Sequence, residues 1–347
     1  MHQIGNEGCA QSEGRGGLEI PTDNKPKTIY DYLMSENIAI TGATGLLGSN
    51  LANKLVEEGN EVYALIKDEQ SKSILSKNVT RVYGDMNSKS DIEYFIQKAN
   101  PQHFIHLAAQ TQAYDSLKYP YQTFHNNFIG TLNILESLRE YNQSKSIIIA
   151  SSDKAYGELV GEKYKENHQL KGIYPYDASK SAADILSNSY RITYSMPIIV
   201  TRACNIFGIG DFNKQRLIPG IVNAAVSSKK FIIRNNGKDI REYIHVDDVV
   251  SAYQSLIKYA TENNKHGAFN ISAGDSYSTL DLFNLIQHKL KIEIEHEIQK
   301  EQGHEIKNQY MDASLLKSET NWLPKNTLES TIEKIANWYL KELTKTP

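Results

Sequence analysis

Cysteine is nearly absent from this sequence, which has only Cys9 and Cys204 among its 347 residues. Two cysteines so far apart do not make a disulfide framework, and neither a CxxC pair nor a cysteine–histidine cluster of zinc spacing occurs. We therefore expect two reduced thiols in a cytoplasmic protein, and we predict no metal site.

Long apolar runs and an excess of one charge are also missing. No apolar stretch approaches the roughly 20 residues that span a bilayer. Residues 1–17 are polar and glycine-rich, without the apolar core of a signal peptide. The net charge of −3 gives no electrostatic reason to expect nucleic acid or a membrane as a partner. We interpret residues 1–36 as a flexible leader.

Short apolar strands alternate with amphipathic segments from residue 37 onward. Strands are predicted at residues 38–40, 61–66, 79–83, 103–107, 146–150 and 198–201, and helices at 47–58, 90–99, 123–141 and 176–194. This alternation predicts an α/β fold with a Rossmann-type, doubly wound parallel sheet over residues 37–204. The alternation loosens afterwards, so residues 205–347 are predicted to form mainly a smaller domain, with some segments returning to the sheet.

A glycine-rich turn follows the first predicted strand. Residues 41–48 read TGATGLLG, with the three glycines spaced three apart between a strand and a helix. Such a turn lets the backbone approach a pyrophosphate, which the free N–H groups of the helix then bind. Glycines also serve ordinary turns, but this context favours a dinucleotide cofactor, NAD(P). The residues assigned to it are Gly42, Thr44, Gly45, Leu46, Leu47 and Gly48.

The end of the second predicted strand bears on the choice between NAD and NADP. Where an acidic residue would bind the ribose hydroxyls of NAD, the chain has Ile66, followed by Lys67. Lys67 can attract the 2′-phosphate of NADP, so we favour NADP; the alternatives are a solvated strand end and NAD bound by Asp68. The ends of the third and fourth strands supply further cofactor residues, which are Asp85, Met86, Leu107, Ala108 and Ala109.

A tyrosine and a lysine share one face of a predicted helix. Residues 176–180 read YDASK, and positions four apart on a helix are neighbours. The Lys180 ammonium can lower the pKa of the Tyr176 phenol and hold the cofactor ribose, so that Tyr176 acts as a base near neutral pH. Ser152 ends the fifth strand, at the sheet edge where ligands bind, and can bond a substrate hydroxyl there; a plain polar loop is the alternative.

In this order, the glycine turn, the HLAAQ segment at residues 106–110, the serine-rich strand end and the YxxxK pattern resemble the extended short-chain dehydrogenase/reductase family over residues 38–270. The resemblance implies an enzyme that uses NAD(P), acts on a nucleotide sugar, and dimerises with a second copy through the helices at 123–141 and 176–194. Residues 201–208, 216–220 and 241–248 are similar to segments that bind the sugar nucleotide. The substrate residues implied are Gln110, Asn205, Arg216, Leu217 and Arg241.

The residues after Ser152 point to one branch of that family. Residues 151–154 read SSDK, and an Asp–Lys pair resembles CDP-glucose 4,6-dehydratases, whereas simple 4-epimerases have small or uncharged residues there. The resemblance implies that Asp153 protonates the leaving C6 hydroxyl and Lys154 removes the C5 proton. Residues 241–245 are closer to the GDP-mannose, dTDP-glucose and epimerase patterns, so the nucleotide base stays open. A 4-epimerase and a non-catalytic nucleotide-sensing regulator are the alternative functions.

Overall fold

The computed structural model describes residues 35–69, 71–227, 229–300 and 306–344, so the predicted leader lies almost wholly outside the described residues. The strands are β1 (Asn37–Thr41), β2 (Glu61–Ile66), β3 (Thr80–Tyr83), β4 (His103–His106), β5 (Ser146–Ala150), β6 (Ile198–Ala203), β7 (Asn205–Phe207), β8 (Phe231–Ile233), β9 (Ile240–His245), β10 (Gly267–Ile271), β11 (Asp275–Ser278) and β12 (His296–Ile298). The α-helices are α1 (Leu46–Glu57), α2 (Lys89–Ala99), α3 (Ala113–Lys118), α4 (Pro120–Phe124), α5 (Gly130–Tyr141), α6 (Pro175–Thr193), α7 (Leu217–Ser227), α8 (Val246–Asn263), α9 (Thr279–Leu290), α10 (Ser314–Thr320) and α11 (Leu328–Thr344).

Seven parallel strands form the main sheet, in the order β10-β6-β5-β4-β1-β2-β3. The central strand β4 is buried along its whole length, because helices cover both faces of the sheet. Leu51 of α1 and Val249 of α8 belong to the buried cluster on one face, and Phe95 of α2 and Ile134 of α5 to the cluster on the other. This architecture confirms the predicted α/β, doubly wound class.

The register of the sheet brings the loops of the site together. Thr41, the last residue of β1, pairs with Leu65 on one side and His106 on the other, and Ala150 of β5 pairs with Thr201 of β6. The carboxyl ends of these parallel strands therefore meet along one edge. Ligands of open α/β sheets bind at that edge, where the strand order reverses.

The segments after β6 build a second layer of structure beside this edge. β7, β9 and β11 form a three-stranded sheet, and β8 pairs with β12. They pack with α7, α9 and α11 around a separate buried cluster that includes Ile221, Phe283 and Ile332. β10 instead pairs with β6 at the end of the main sheet. The domain boundary at residue 204 stays a prediction.

The predicted helix at 123–141 is longer and less regular than its pattern indicates. It begins at Pro120, where proline suits the first helical turn, and residues His125–Ile129 form a π-helical turn between α4 and α5. The extra residue in this turn re-aims the side chains that follow, which matters for the site. In the described parts of the chain, no helix has the length and apolar character needed to cross a membrane.

Candidate active site

A cleft of about 1010 Å³ lies at the carboxyl edge of the main sheet. It is at the upper limit of the volumes usual for single-ligand pockets, which suits a dinucleotide and a second ligand end to end. All of the cofactor and catalytic residues predicted from the sequence line it. Of the predicted substrate residues, Gln110, Asn205, Arg216 and Leu217 line it and Arg241 does not.

The glycine turn makes one end of the cleft. Gly42 has a φ of 75°, and a side chain there would meet the backbone of Ala108 at 2.6 Å. A Cβ at Gly48 would lie 2.1 Å from the carbonyl oxygen of Gly42, so this position packs the helix tightly against the turn. A Cβ at Gly45, by contrast, would contact only the carbonyl oxygen of Gly42, at 3.4 Å, and would otherwise face open space.

The N-terminus of α1 faces this open side without a competing anion. Gly45 is its capping residue and offers no side-chain cap, and the first turn contains no acidic residue. The free N–H groups and the positive end of the helix dipole are thus available to an anionic ligand. These observations fit a dinucleotide pyrophosphate, which Thr44, Leu46 and Leu47 would hold together with the glycines.

Charged residues line the part of the cleft where β2 and β3 end. The ammonium of Lys67 lies 2.8 Å from the carboxylate of Asp85. Burial alone raises the pKa of Asp85, but the hydrogen bonds from Lys67 and from the backbone N–H of Asn87 outweigh it and hold that pKa below its ordinary value. The Lys67 charge is therefore partly compensated. Ser71 and Lys72 also line the cleft, and the ammonium of Lys72 lies over the ring of Phe212, 5.2 Å from its centroid.

The loop after β4 is fixed by an asparagine that the sequence analysis did not single out. Asn127, in the π-helical turn, accepts a hydrogen bond from the N–H of Gln110 at 2.8 Å and donates one to its carbonyl oxygen at 3.0 Å. It also donates to the hydroxyl of Ser179 at 2.9 Å, which ties this loop to α6. The repeated asparagine of the HNNFI segment was the available signal, but nothing in the pattern predicts a π-helical turn.

Tyr176 and Lys180 lie on the buried face of α6 and reach the centre of the cleft. Lys180 donates a hydrogen bond to the carbonyl oxygen of Ala150 at 2.7 Å, and burial lowers its pKa to about 8. Burial raises the pKa of Tyr176 above its ordinary value, a hydrogen bond with Ser152 opposes this, and Asp153 raises it further. Lys180 is not among the largest influences on the pKa of Tyr176, so its predicted effect on the phenol stays a prediction.

Ser152, Asp153 and Lys154 follow β5 and begin a short 3₁₀-helical turn. The Ser152 hydroxyl donates to Oδ1 of Asp153 at 2.9 Å and caps the turn by accepting from the N–H of Lys154. A residue far along the chain completes this group. The side-chain amide of Gln309 donates to Oδ2 of Asp153 at 3.0 Å and accepts from Nζ of Lys154 at 2.9 Å. Sequence reasoning missed Gln309 because no motif surrounds it.

The structure places four of the predicted substrate residues in the cleft lining and one outside it. Asn205 donates to the carbonyl oxygen of Glu242 at 3.1 Å and lines the cleft. Arg216 pairs with the buried carboxylate of Asp211 at 3.1 Å. Arg241 donates instead to the carbonyl oxygens of Ile240 and Lys307, away from the cleft lining. A phosphate-binding role of Arg241 therefore stays a prediction that this geometry does not support.

The two histidines of β4 stay apart. His103 bonds Ser146 and Glu36, whereas His106 lies between the hydroxyls of Thr41 and Thr131, where burial lowers its pKa to about 3. Within the described residues, no group of three or more histidine, cysteine or acidic side chains is arranged to hold a metal ion.

Comparison with known proteins matches this chain to one family over most of its length. The model of the GDP-mannose 4,6-dehydratase family matches residues 39–335. A CDP-paratose 2-epimerase from Salmonella typhi is 28% identical over 87% of this chain and 98% of its own length. A trifunctional enzyme from Arabidopsis thaliana, with UDP-glucose 4,6-dehydratase, epimerase and reductase activities, is 28% identical over 88% of the chain; the chain spans only 47% of that relative.

Solved structures share the whole described architecture. The UDP-glucose 4-epimerase of Thermotoga maritima, solved with UDP-glucose, has a TM-score of 0.81 and 25% identity, with 88% of this chain and 99% of that chain covered. The dTDP-glucose 4,6-dehydratase of Bacillus anthracis, solved with NAD, has a TM-score of 0.79 and 25% identity, with 90% and 98% covered.

Proposed function

The chain belongs to the GDP-mannose 4,6-dehydratase family of extended short-chain dehydrogenases/reductases, and from this premise we propose that it is a nucleotide-sugar 4,6-dehydratase. One observation supports the dehydratase over its relatives. A carboxyl group and a primary amine, those of Asp153 and Lys154, line the same cleft as Tyr176. Oxidation at a sugar hydroxyl needs the tyrosine, but elimination of water also needs an acid and a base.

The first step is removal of the C4 hydroxyl proton by Tyr176. Ser152, in hydrogen-bond contact with the phenol, orients that hydroxyl. A bound nicotinamide would supply the acceptor for the C4 hydride and the donor for its return to C6. Lys180 would hold the ribose hydroxyls of that cofactor next to Tyr176. Because burial raises the pKa of Tyr176, the phenol is a competent base only once positive charge lies beside it.

The second step is loss of water across C5 and C6. The C4 ketone acidifies the C5 proton, which the neutral amine of Lys154 takes as the C5–C6 double bond forms. The C6–O bond breaks, and the carboxylic acid of Asp153 gives its proton to the leaving hydroxyl, so that water departs. Lys154 is now an ammonium and Asp153 a carboxylate. As hydride returns to C6, the Lys154 ammonium gives its proton to C5, which completes the 4-keto-6-deoxy sugar. The proton that Tyr176 took from the C4 hydroxyl must then pass to the Asp153 carboxylate before the next turnover.

CDP-glucose is the proposed substrate among the nucleotide hexoses. The support is the Asp–Lys pair at 153–154, which resembles CDP-glucose dehydratases, and the dehydratase-like turn that begins at Arg216. The comparisons support only the coarser statement that the substrate is a nucleotide sugar, because the relatives are named for UDP-, dTDP- and CDP-sugars.

NADP is the proposed cofactor, on the strength of Lys67, which lines the cleft where β2 ends. The pairing of Lys67 with Asp85 reduces the charge available to a 2′-phosphate, so we expect a modest preference. Lys67→Ala is expected to lower the ratio of NADP to NAD affinity by about tenfold. An unchanged ratio in calorimetric titrations would show that Lys67 does not select NADP, and tighter binding of NAD than of NADP by the wild type would overturn the proposed cofactor.

A homodimer through α5 and α6 is also proposed. α6 exposes Ile185 and Ile192, with 57% and 64% of their surface accessible, on its outer face. Such apolar residues on one helix face favour burial against a partner helix.

Residence in the cytoplasm stays a prediction from the sequence.

The decisive experiment is incubation of the protein with CDP-, GDP-, dTDP- and UDP-hexoses and either dinucleotide. A dehydratase gives a product lighter by one water, with the alkaline ultraviolet absorbance of a 4-keto sugar. A 4-epimerase, the alternative favoured by the likeness to the Thermotoga maritima enzyme, gives an isomer of unchanged mass. Lys154→Ala is expected to abolish water loss, whereas the exposed Lys171→Ala, on the following loop, serves as the matched control.

A further inference from the structure

Gln309 is a fully buried polar residue that none of the recognised motifs contains. Its segment is fixed on two sides. The N–H of Gln309 donates to the carbonyl oxygen of Ile240 at 3.2 Å, and the neighbouring Tyr310 accepts at its carbonyl oxygen from the N–H of Tyr164 at 2.7 Å. The backbone on both sides therefore holds this amide behind the cleft lining, against Asp153 and Lys154.

Both polar atoms of the Gln309 side-chain amide form hydrogen bonds with neighbouring reactive groups. The nitrogen of Gln309 donates to Asp153 at 3.0 Å and its oxygen accepts from Lys154 at 2.9 Å. These contacts fix the orientation of the amide, since the reverse orientation would oppose two donors at Lys154. With Ser152 donating to the other carboxylate oxygen, both oxygens of Asp153 have a partner.

The amide also stands between the acid and the base, which carry opposite charges once water has been eliminated. Asp153 and Lys154 are adjacent in sequence, yet within the described residues no ion pair joins them; Gln309 bonds each of them instead. A direct pair would draw the carboxylate and the ammonium onto each other and away from the sugar. A neutral amide does not titrate, so it holds both groups without exchanging a proton with either.

We propose that Gln309 is the positioning residue of the elimination step, which keeps Asp153 and Lys154 apart and directed at the C5–C6 bond of the sugar. The inference rests on the proposed dehydratase function. Gln309 serves elimination and not the oxidation at C4, because its contacts are with the acid and the base and not with Tyr176 or Lys180. The long side chain of Lys154 loses substantial rotamer entropy when it is held in one position. Because Gln309 already holds it there, that entropy is not lost again at each turnover.

Two variants separate this role from a purely structural one. Gln309→Leu removes both polar atoms at similar volume, so Lys154 is free to collapse onto Asp153. Elimination is expected to slow by about 10²-fold, within the usual range for acid–base catalysis, while C4 oxidation changes by less than about threefold. Reduced nicotinamide then accumulates in a single turnover and is seen by its near-ultraviolet absorbance, with water loss and solvent deuterium at C5 followed by mass spectrometry.

Gln309→Glu provides a pH-dependent rescue. A protonated glutamic acid has the donor and the acceptor of glutamine, whereas a carboxylate repels Asp153. The ratio of the elimination rate of Gln309→Glu to that of the wild type is therefore expected to rise as pH falls. This ratio tests the proposal even if Gln309→Leu fails to fold.

The outcomes distinguish the two levels of inference. If the wild type releases no dehydrated sugar from any nucleotide hexose, the proposed function fails. If the wild type does release it, but Gln309→Leu slows oxidation and elimination equally or the Gln309→Glu ratio is independent of pH, Gln309 is structural and only the positioning role is overturned.

Discussion

Replacing Lys180 with methionine is expected to stabilise the protein while removing its activity. The side chain of Lys180 is 7% exposed and bonds the carbonyl oxygen of Ala150. Burial lowers its pKa from 10.5 to about 8, and the charge of Asp184 offsets this only in part. Folding thus places an ammonium where the charged form is disfavoured, which methionine of similar length would avoid.

The lowered pKa sets both the size and the sign of this effect. Between about pH 8 and 10.5 the unfolded chain binds more protons at Lys180 than the folded chain, so this group makes the free energy of unfolding rise with pH. The charged form opposes folding by roughly 3 kcal/mol at about pH 7 and by about 1 kcal/mol at about pH 10. Loss of the bond to Ala150 removes ~1 kcal/mol, so Lys180→Met gains roughly 2 kcal/mol at about pH 7 and almost nothing at about pH 10.

Urea unfolding of the cofactor-free protein at these two pH values measures the effect. The control is Lys171→Met, because Lys171 is an exposed lysine and is expected to change stability by less than about 0.5 kcal/mol at either pH. A loss of stability in Lys180→Met, or a gain of equal size at both pH values, would refute the reasoning.

Two further substitutions test the fold around the site. Asp184→Asn is expected to lower the free energy of unfolding by about 3–5 kcal/mol, because it leaves the buried guanidinium of Arg202 without its carboxylate. In the same urea titration, the Asp184→Leu, Arg202→Met double variant is expected to recover most of that loss, and a double variant no better than the single one would contradict this. Gly48→Ala is expected to destabilise by more than about 1 kcal/mol, since its Cβ would press on the carbonyl oxygen of Gly42. Gly45→Ala, whose Cβ meets that oxygen only at 3.4 Å, is the control, and equal stabilities would exclude the packing argument.

Local patterns were sufficient to predict the main sheet and to name residues that line one cleft. The strand–turn–helix context of Gly42 and the four-residue spacing of Tyr176 and Lys180 are properties of short segments, and hydrophobic alternation locates the strands around them. Parallel topology then brings the strand ends to one edge. The cofactor and catalytic residues named from the sequence accordingly line one cleft.

Contacts between distant segments could not be predicted in this way. Gln309 accepts a hydrogen bond from Lys154, which lies 155 positions earlier in the sequence. The sequence around Gln309 contains no pattern that predicts a polar partner. The π-helical turn that places Asn127 depends on one extra residue in a helical pattern, which periodicity does not detect. Arg241 follows a family segment, yet backbone carbonyl oxygens hold its guanidinium away from the cleft.

The late position of Gln309 has a consequence for the order in which the enzyme matures on the ribosome. At about 5–20 residues per second, translation of the 155 residues from Lys154 to Gln309 takes roughly 8–30 s. For most of that interval, once residue 176 has been added, the nascent chain contains the glycine turn and Tyr176 but not the amide proposed to hold Asp153 and Lys154 apart. Under the proposed function, capacity to bind the dinucleotide would precede capacity to eliminate water, and elimination would become available only to a nearly complete chain.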